Sequence, residues 1–203
     1  MKTKIIKELN ELQKQKKIKI LLAIESGSRV WGMESEDSDF DIRLVFSRTP
    51  DEYLSLDKPS DVIELTIENR DYVGFDIFKF LQLLRNSNPT VIDWLKSDIF
   101  YINKFKMFKE LMNEIENNFN PLGLFQHYKS LCKNNYIKYL KEGSDVRYKR
   151  YLYCFRGMCN SLFIYQYNKL PPIKLEDTLK KLSKNISKTA ISKISEIIKI
   201  KKT

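Results

Sequence analysis

The chain has 203 residues, 42% of them hydrophobic, which suffices for one sizeable core or two small ones. Its first 17 residues lack the apolar stretch of a signal peptide, and no run approaches the roughly 20 apolar residues of a membrane span, so we expect a soluble, cytoplasmic protein without membrane contacts. The formal net charge of +10 leaves two interpretations open. The positive charge could form a binding surface for a polyanion such as RNA, or it could lie on the solvated, lysine-rich faces of amphipathic helices near the two ends of the chain.

The cysteine and histidine content excludes two further classes of protein. Three cysteines (Cys132, Cys154 and Cys159) and a single histidine, His127, cannot make a tetrahedral zinc site of ordinary spacing. The odd number of cysteines also argues against a disulfide framework. We interpret the cysteines as small core residues and His127 as a structural residue.

Hydrophobic periodicity predicts a helix, a group of strands and then a long helical region. A helix over residues 4–15 precedes strands over 18–24, 41–46 and 62–67 and an extended segment over 72–75. Asp76 opens a helix that Asn88 and Pro89 interrupt. Further helices are predicted over 103–117, 125–141, 147–167 and from 175 to the end. We place the domain boundary between residues 102 and 103, giving domains 1–102 and 103–203.

The second strand carries the first candidate site. Side chains alternate faces along a strand, so Asp39 and Asp41 would project to one side while Phe40 and Ile42 enter the core. Two carboxylates so placed can share a hard cation, and Mg²⁺ is usually held by one or two carboxylates plus substrate phosphates. Arg43, next to the pair, could fix its geometry by ion pairing.

A Gly-Ser turn stands between the first strand and these carboxylates. Gly27 would let the backbone approach a ligand closely. If the next residues form a short helix, its free N–H groups and the Ser28 hydroxyl would favour an anion at the turn. The segment therefore combines a phosphate-binding end with a metal-binding end.

Other interpretations of the acidic cluster fit less well. A calcium-binding EF-hand loop starting at Asp37 would need Gly and Glu where the chain has Ile42 and Arg48. An aspartyl-phosphate enzyme would place Asp-x-Asp directly after an apolar strand, whereas the polar run 34–38 precedes Asp39. A solvated acidic turn remains the simple alternative.

The chain has a strand, then Gly-Ser, and then Asp-x-Asp after about a dozen residues. This order resembles the pattern of the DNA polymerase beta-type nucleotidyltransferase superfamily. Four segments and the later Pro171-Pro172 are similar to one branch, the RNA repair pathway DNA polymerase beta family. The segments are SGSRVWG (26–32), DSDFDIR (37–43), GFDIFKFLQLLRNSNPTVIDWL (74–95) and KRYLYCFRG (149–157). The resemblance covers about residues 18–179. It implies an α+β fold, in which a small mixed-sheet nucleotidyltransferase domain with flanking helices precedes an all-helical C-terminal domain.

The resemblance also implies a third carboxylate facing the first two. The family pattern has an aspartate followed three residues later by a lysine, which Asp76 and Lys79 match. Asp76 would then be the third catalytic and metal-binding acid, and Lys79 would reach a triphosphate. Glu64, on the polar face of the third strand, is the alternative acid. A helix N-cap is the structural alternative for Asp76.

In the helical region, Lys149, Tyr153 and Arg156 recur at i, i+4 and i+7, so two cations and an aromatic ring share one helical face. The family has these residue types at matching places, which implies a nucleotide-binding wall. The alternative is a packing helix with a basic rim. Arg29 and Trp31 also match the family pattern, with Arg29 as a phosphate contact and Trp31 as a core anchor.

These observations predict a nucleotidyltransferase that uses Mg²⁺ or Mn²⁺. It would transfer a nucleotidyl group from an NTP such as ATP to a hydroxyl acceptor, for which an RNA end, a tRNA or a protein hydroxyl are all open. The alternative is a nucleotide- or RNA-binding protein that keeps the fold without turnover.

Overall fold

The structure, a computed structural model, describes residues 1–141, 143 and 147–202. The described residues contain five strands that form one mixed sheet in the order β3-β4-β2-β1-β5. The strands are β1 (Lys19–Glu25), β2 (Phe40–Ser47), β3 (Val62–Ile67), β4 (Arg70–Asp76) and β5 (Phe100–Asn103). Strands β2 and β4 run parallel, and the other neighbouring pairs are antiparallel.

Helices make up most of the remaining described chain. They are α1 (Lys2–Lys16), α2 (Gly27–Val30), α3 (Pro50–Leu54), α4 (Ile77–Arg85), α5 (Pro89–Leu95), α6 (Phe108–Asn118), α7 (Pro121–Asn135), α8 (Tyr148–Tyr167), α9 (Leu175–Lys181) and α10 (Lys188–Lys202). A π-helical segment, Tyr136–Lys141, continues α7. Thr203, at the end of the predicted C-terminal helix, lies outside the described residues. No helix in the described part of the chain has the length and apolar character needed to cross a membrane.

The chain divides into two compact units that differ from the predicted domains. The first combines Met1–Gly27 with Asp39–Ile115, and the second combines Ser28–Ser38 with Glu116–Thr203. The predicted boundary at residues 102 and 103 falls inside β5, which pairs with β1 and so belongs to the sheet. The first unit holds the sheet, and the second is helical throughout its described elements. The predicted α+β fold, with a mixed sheet followed by helices, is confirmed.

Helix α1 covers one face of the sheet through a stripe of apolar side chains. Ile5, Leu9 and Leu12 recur at i, i+4 and i+7, the spacing of an amphipathic helix, and all three are buried. They pack in one cluster with sheet residues that include Ile20 and Ile42. Burial of this stripe holds the helix against the strands that carry the candidate site.

A buried ion pair also fixes α1 to the sheet. Arg70, at the start of β4, is 0% exposed and donates to both carboxylate oxygens of Glu8 at 2.9 Å. Glu68 accepts a third bond from Arg70 at 2.8 Å, and Tyr72 donates its hydroxyl to Glu8. The pKa of Arg70 is raised by the neighbouring carboxylates of Glu68 and Glu8. The pKa of Tyr72 is raised chiefly by burial.

In the second unit, α8 is the central helix. Its buried residues Leu152, Cys159 and Phe163 pack in one cluster with residues of α9 and α10 and with Met33. Gly157 allows α7 to approach closely, because an added Cβ would lie 2.9 Å from the backbone N of Cys132 and from the backbone O of Tyr128. Only glycine leaves that space.

Candidate functional site

The start of β2 presents the Asp-x-Asp carboxylates. Ile42 is fully buried and Phe40 packs partly buried against the same core cluster, as the predicted alternation requires. Asp41, between them, therefore points to the other face of the sheet. Asp39 immediately precedes the strand and is exposed, whereas Asp41 is half-buried.

The turn that follows β1 lies directly against Asp41. Gly27 has a φ of +66°, and an added Cβ would lie 1.9 Å from Asp41 Oδ2 and 2.8 Å from its Cγ. The neighbouring Ser26 N–H donates to the Asp41 carbonyl at 2.8 Å. Both the conformation and the close approach require glycine, so Gly27 packs directly against the second carboxylate.

Glu25, the last residue of β1, fixes the backbone of Asp41. Its side chain is buried, with the whole residue 1% exposed. Oε1 accepts the Asp41 N–H at 2.9 Å, and Oε2 accepts the Tyr101 hydroxyl. Glu25 is not among the site residues predicted from the sequence. A carboxylate that ends an apolar strand immediately before a Gly-Ser turn is the signal that could have indicated it.

A third carboxylate, Asp71, is paired with Asp41 through the parallel register of β2 and β4. Arg43 bridges them: one guanidinium nitrogen lies 2.9 Å from Asp41 Oδ1 and another 2.9 Å from Asp71 Oδ2. The predicted ion pairing of Arg43 is therefore present. Asp71 was missed because no local pattern in the sequence reveals which residue of β4 stands beside Asp41.

The structure does not bring Asp76 to the Asp-x-Asp pair. In the β2–β4 register Asp76 stands beside Phe46, five positions from the Asp41–Asp71 pair, which is roughly 16 Å along the strands. Asp76 is 5% exposed and caps α4 by accepting the Phe78 N–H at 2.9 Å. Its other oxygen accepts the Tyr53 hydroxyl at 2.7 Å. The helix-cap alternative therefore describes its contacts.

The other two predicted residues of this region also lie away from Asp41. Glu64 is exposed on β3, across from Val73 of β4. Lys79 forms an ion pair with Asp61 at 3.0 Å and lies over the Phe75 ring. A separate cavity of about 350 Å³ at this end of the sheet is lined by residues that include Asp61 and Asp76.

In the second unit, Ser28, Lys149 and Tyr153 line one narrow crevice together with Lys201. The Lys149 ammonium lies 5.8 Å from the centre of the Tyr153 ring. Lys201 donates to the Met33 carbonyl, and its pKa is lowered by burial and then by the neighbouring Lys149 ammonium. The two lysine ammonium groups beside the Ser28 hydroxyl would favour the binding of an anion in the crevice. Lys201 was missed because its lysine-rich surroundings give it no distinguishing pattern.

Arg156 and Arg29 contribute to the packing of the second unit. Arg156 is 4% exposed, and its guanidinium lies 4.0 Å above the Trp31 ring and 5.8 Å from the Tyr128 ring. Trp31 also meets Tyr153 edge to face. Arg29 donates to the Ser38 carbonyl at 2.5 Å and so closes the segment 28–38. Of the predicted face of α8, the structure brings Lys149 and Tyr153 to the crevice and buries Arg156.

Comparison with known proteins identifies the family. The chain matches the RNA repair pathway DNA polymerase beta family over residues 1–203. The chain belongs to this family. A curated relative, the Bacillus subtilis (strain 168) protein YcgL, which is described as uncharacterized, is 35% identical over 174 residues. That match covers 85% of the chain and 66% of the relative, so the chain spans just under two thirds of that protein's length.

A solved structure is also similar, at a lower level. It is the crystal structure of a nucleotidyltransferase-like protein from Exiguobacterium sibiricum 255-15, with 11% sequence identity and a TM-score of 0.37. The match covers 97% of this chain and 72% of that one. The family assignment rests on the match to the RNA repair pathway DNA polymerase beta family along the whole chain.

The carboxylates Asp39 and Asp41 are oxygen donors, the ligand type that Mg²⁺ takes in proteins. Across residues 1–141, 143 and 147–202, no group of three or more His, Cys, Asp or Glu side chains could hold a metal ion by itself. Mg²⁺ does not need such a cage, because it keeps several waters and takes one or two carboxylates plus substrate phosphates. The oxygen donors of Asp39 and Asp41 fit that requirement, and the packed Gly27 turn holds Asp41 in place.

Proposed function

We propose that the protein is a magnesium-dependent nucleotidyltransferase that transfers a nucleotidyl group from an NTP to a hydroxyl acceptor. The family name supports an RNA end as the acceptor. The observation that carries the proposal is the packing of Gly27 against Asp41, where an added Cβ would lie 1.9 Å from the carboxylate. A merely solvated acidic turn does not need so close an approach.

Asp39 and Asp41 would hold the metal ion together with the NTP phosphates. When bound, Mg²⁺ would lower the pKa of the acceptor hydroxyl and stabilise the pyrophosphate leaving group. The chain's own contribution is positional. Glu25 holds the Asp41 backbone, and Arg43 holds the Asp41 carboxylate beside that of Asp71. Phosphoryl-transfer catalysis depends on such positioning and on electrostatic stabilisation.

We assign the third acid to Asp71. Its support is the β2–β4 register, which pairs it with Asp41, and the shared bridge through Arg43. Asp76 is committed to capping α4 and to the Tyr53 hydroxyl. Glu64 stands across from Val73, two positions along β4 from Asp71.

Within the second unit, the crevice is a candidate binding site for an anion such as a phosphate group. Lys149 and Lys201 are ammonium donors, and Ser28 adds a hydroxyl. Tyr153 offers an aromatic face or a hydroxyl donor to the ligand of this crevice. In this proposal Arg29 and Arg156 support binding by holding segment 28–38 and Trp31 in place.

The test is incorporation of each labelled NTP into total RNA with Mg²⁺ or Mn²⁺. We expect incorporation by the wild type and a loss of at least about 100-fold in Asp39→Asn and Asp41→Asn, the scale for removing a group that stabilises the transition state. Asp37→Asn is the matched control, because Asp37 is an exposed acid of the same segment and lies outside the Asp-x-Asp pair. It should keep wild-type activity.

Nucleotide binding measured on the same variants separates the two function classes. If the wild type binds an NTP or RNA but incorporates nothing with any NTP and either metal, the protein is a non-catalytic binding protein. Equal incorporation by the wild type and Asp41→Asn would also overturn the proposal, because the carboxylates would then not take part.

A further inference from the structure

Two cysteines of the second unit lie in direct contact. The sulfur atoms of Cys132 on α7 and Cys154 on α8 are 3.4 Å apart, and both are free thiols. The sequence alone favours the interpretation of all three cysteines as small core residues. That interpretation suits Cys159, which is fully buried in the cluster around α8. The other two form a pair, which is a different chemical feature.

The backbones of the two helices lie in close contact beside the pair. Gly157, three residues after Cys154 on α8, lies where an added Cβ would be 2.9 Å from the Cys132 backbone N. The two helices therefore touch within one turn of both sulfurs. A disulfide needs a sulfur–sulfur distance of about 2.05 Å, so the atoms would have to approach by about 1.3 Å. Side-chain rotation and a small helix shift can supply that distance.

The two thiols differ in the way that a reactive and a resolving cysteine differ. Cys132 is partly exposed, and its pKa is lowered to about 7 because Cys154 donates a hydrogen bond to it. Cys154 is buried, and its pKa is raised by the same contact and by burial. The thiolate is the nucleophilic form of cysteine, so Cys132 should react first. Burial raises the pKa of Cys159 to about 12, which makes it unreactive.

We propose that Cys132 and Cys154 form an oxidisable dithiol that a hydroperoxide converts into an intramolecular disulfide between α7 and α8. The Cys132 thiolate attacks a peroxide oxygen, and the O–O bond breaks. Hydroxide departs as the leaving group, and Cys132 becomes a sulfenic acid. The Cys154 sulfur then attacks the Cys132 sulfur. The S–O bond breaks, and the departing oxygen takes the Cys154 proton and leaves as water. The sulfurs lose two electrons, and the peroxide gains them.

The disulfide would covalently join α7 to the helix that carries Lys149 and Tyr153. Cys154 is adjacent to Tyr153 in the chain, so the disulfide would form next to a residue that lines the crevice. The modification is independent of the proposed activity, because it requires only the two thiols and a hydroperoxide. A test can therefore fail or succeed without reference to nucleotide transfer.

The test uses the full chain treated with hydrogen peroxide at neutral pH and then digested without reduction. We expect the free thiols to fall from three to one, and the peptides containing Cys132 and Cys154 to appear linked. In Cys154→Ser, dimedone should trap the sulfenic acid on Cys132. Cys159→Ser is the matched control and should form the same linked peptides as the wild type.

Three results would overturn the inference. The first is a wild-type chain that keeps all three thiols under peroxide at a dose that oxidises free cysteine. The second is oxidation of Cys132 to the sulfinic acid without a linked peptide, which would mean that Cys154 does not reach it. The third is linkage between chains only. The wild-type digest decides the question even if a cysteine variant fails to fold.

Discussion

Gly27 determines how closely the turn after β1 can approach the second carboxylate. It combines a φ of +66° with a contact that leaves no room for a side chain. Because the two requirements can be separated by comparison with another glycine, this residue offers a direct test of the site geometry.

We predict that Gly27→Ala lowers nucleotide incorporation at least about 10-fold, because the methyl group would displace Asp41. Gly143→Ala is the control: Gly143 also has a φ of +66°, but among the described residues no atom lies within 4 Å of an added Cβ. Both variants carry a backbone cost of about 1–2 kcal/mol, which urea unfolding measures. Equal incorporation by the two variants would show that the contact with Asp41 is irrelevant to activity.

The third acid can be assigned by two substitutions. Asp71→Asn should lower incorporation by about 100-fold with little change in stability, since its amide keeps the size of the carboxylate. Asp76→Ala should cost about 0.5–2 kcal/mol of unfolding free energy through the lost helix cap, while incorporation stays within about 3-fold of wild type. The reverse pattern would restore Asp76 as the catalytic acid.

At the scale of elements, the attachment of α1 to the sheet depends on a buried charge. Glu8→Ala would leave the fully buried Arg70 with Glu68 as its remaining carboxylate partner. We predict a loss of about 3–5 kcal/mol in unfolding free energy, the usual result of breaking a buried pair. Glu11→Ala, an exposed position on the same helix, should change stability by less than about 0.5 kcal/mol. A small effect of Glu8→Ala would mean that α1 is held by its apolar stripe alone.

The same network gives stability a defined pH dependence. Hydrogen bonds from Arg70 and Lys4 lower the pKa of Glu68 from 4.5 to about 2. A lowered folded-state pKa contributes stability above the unfolded value and loses it as pH falls through the folded value. Urea midpoints of wild type and Glu68→Gln should therefore differ by a constant amount above about pH 5 and converge near pH 2. A difference that persists at pH 2 would contradict this origin.

Sequence periodicity predicts most elements because burial alternates every two residues in strands and every three to four in helices. The ranges for β1 to β3 and α8 are close to the observed bounds. Strand β5 escaped prediction because its four residues are only half-buried or exposed and follow a break in the pattern. The carboxylate pair and the Gly27 turn are local features, so their spacing could be interpreted directly.

What the sequence does not contain is the register between strands. The parallel pairing of β2 with β4 decides that Asp71, and not Asp76, stands beside Asp41. That pairing depends on long-range packing, as do the positions of Glu25 and Lys201. Asp76 matches the family pattern and stands at the start of a helix, and both features suggest a third acid. Both are equally expected of a residue that caps α4.

For the whole molecule, the division into two units assigns the middle of the family motif to the second unit. The chain leaves the first unit after Gly27 and returns to it at Asp39, so the residues between Gly-Ser and Asp-x-Asp belong to the helical unit. There, Met33 packs in the core around α8 and Trp31 lies beneath Arg156. A cut near residue 102 would separate this segment from the helices it packs with. We therefore expect activity to require the full chain.

The most direct test of the central claim follows the two ends of the triphosphate. RNA is incubated with the protein, Mg²⁺ and an NTP labelled either on the α-phosphate or on the γ-phosphate. The proposed function predicts that the α-label becomes attached to RNA while the γ-label is released as pyrophosphate, and that Asp41→Asn does neither. Transfer of the γ-label to RNA, or α-label transfer that Asp41→Asn performs as well as the wild type, would contradict it.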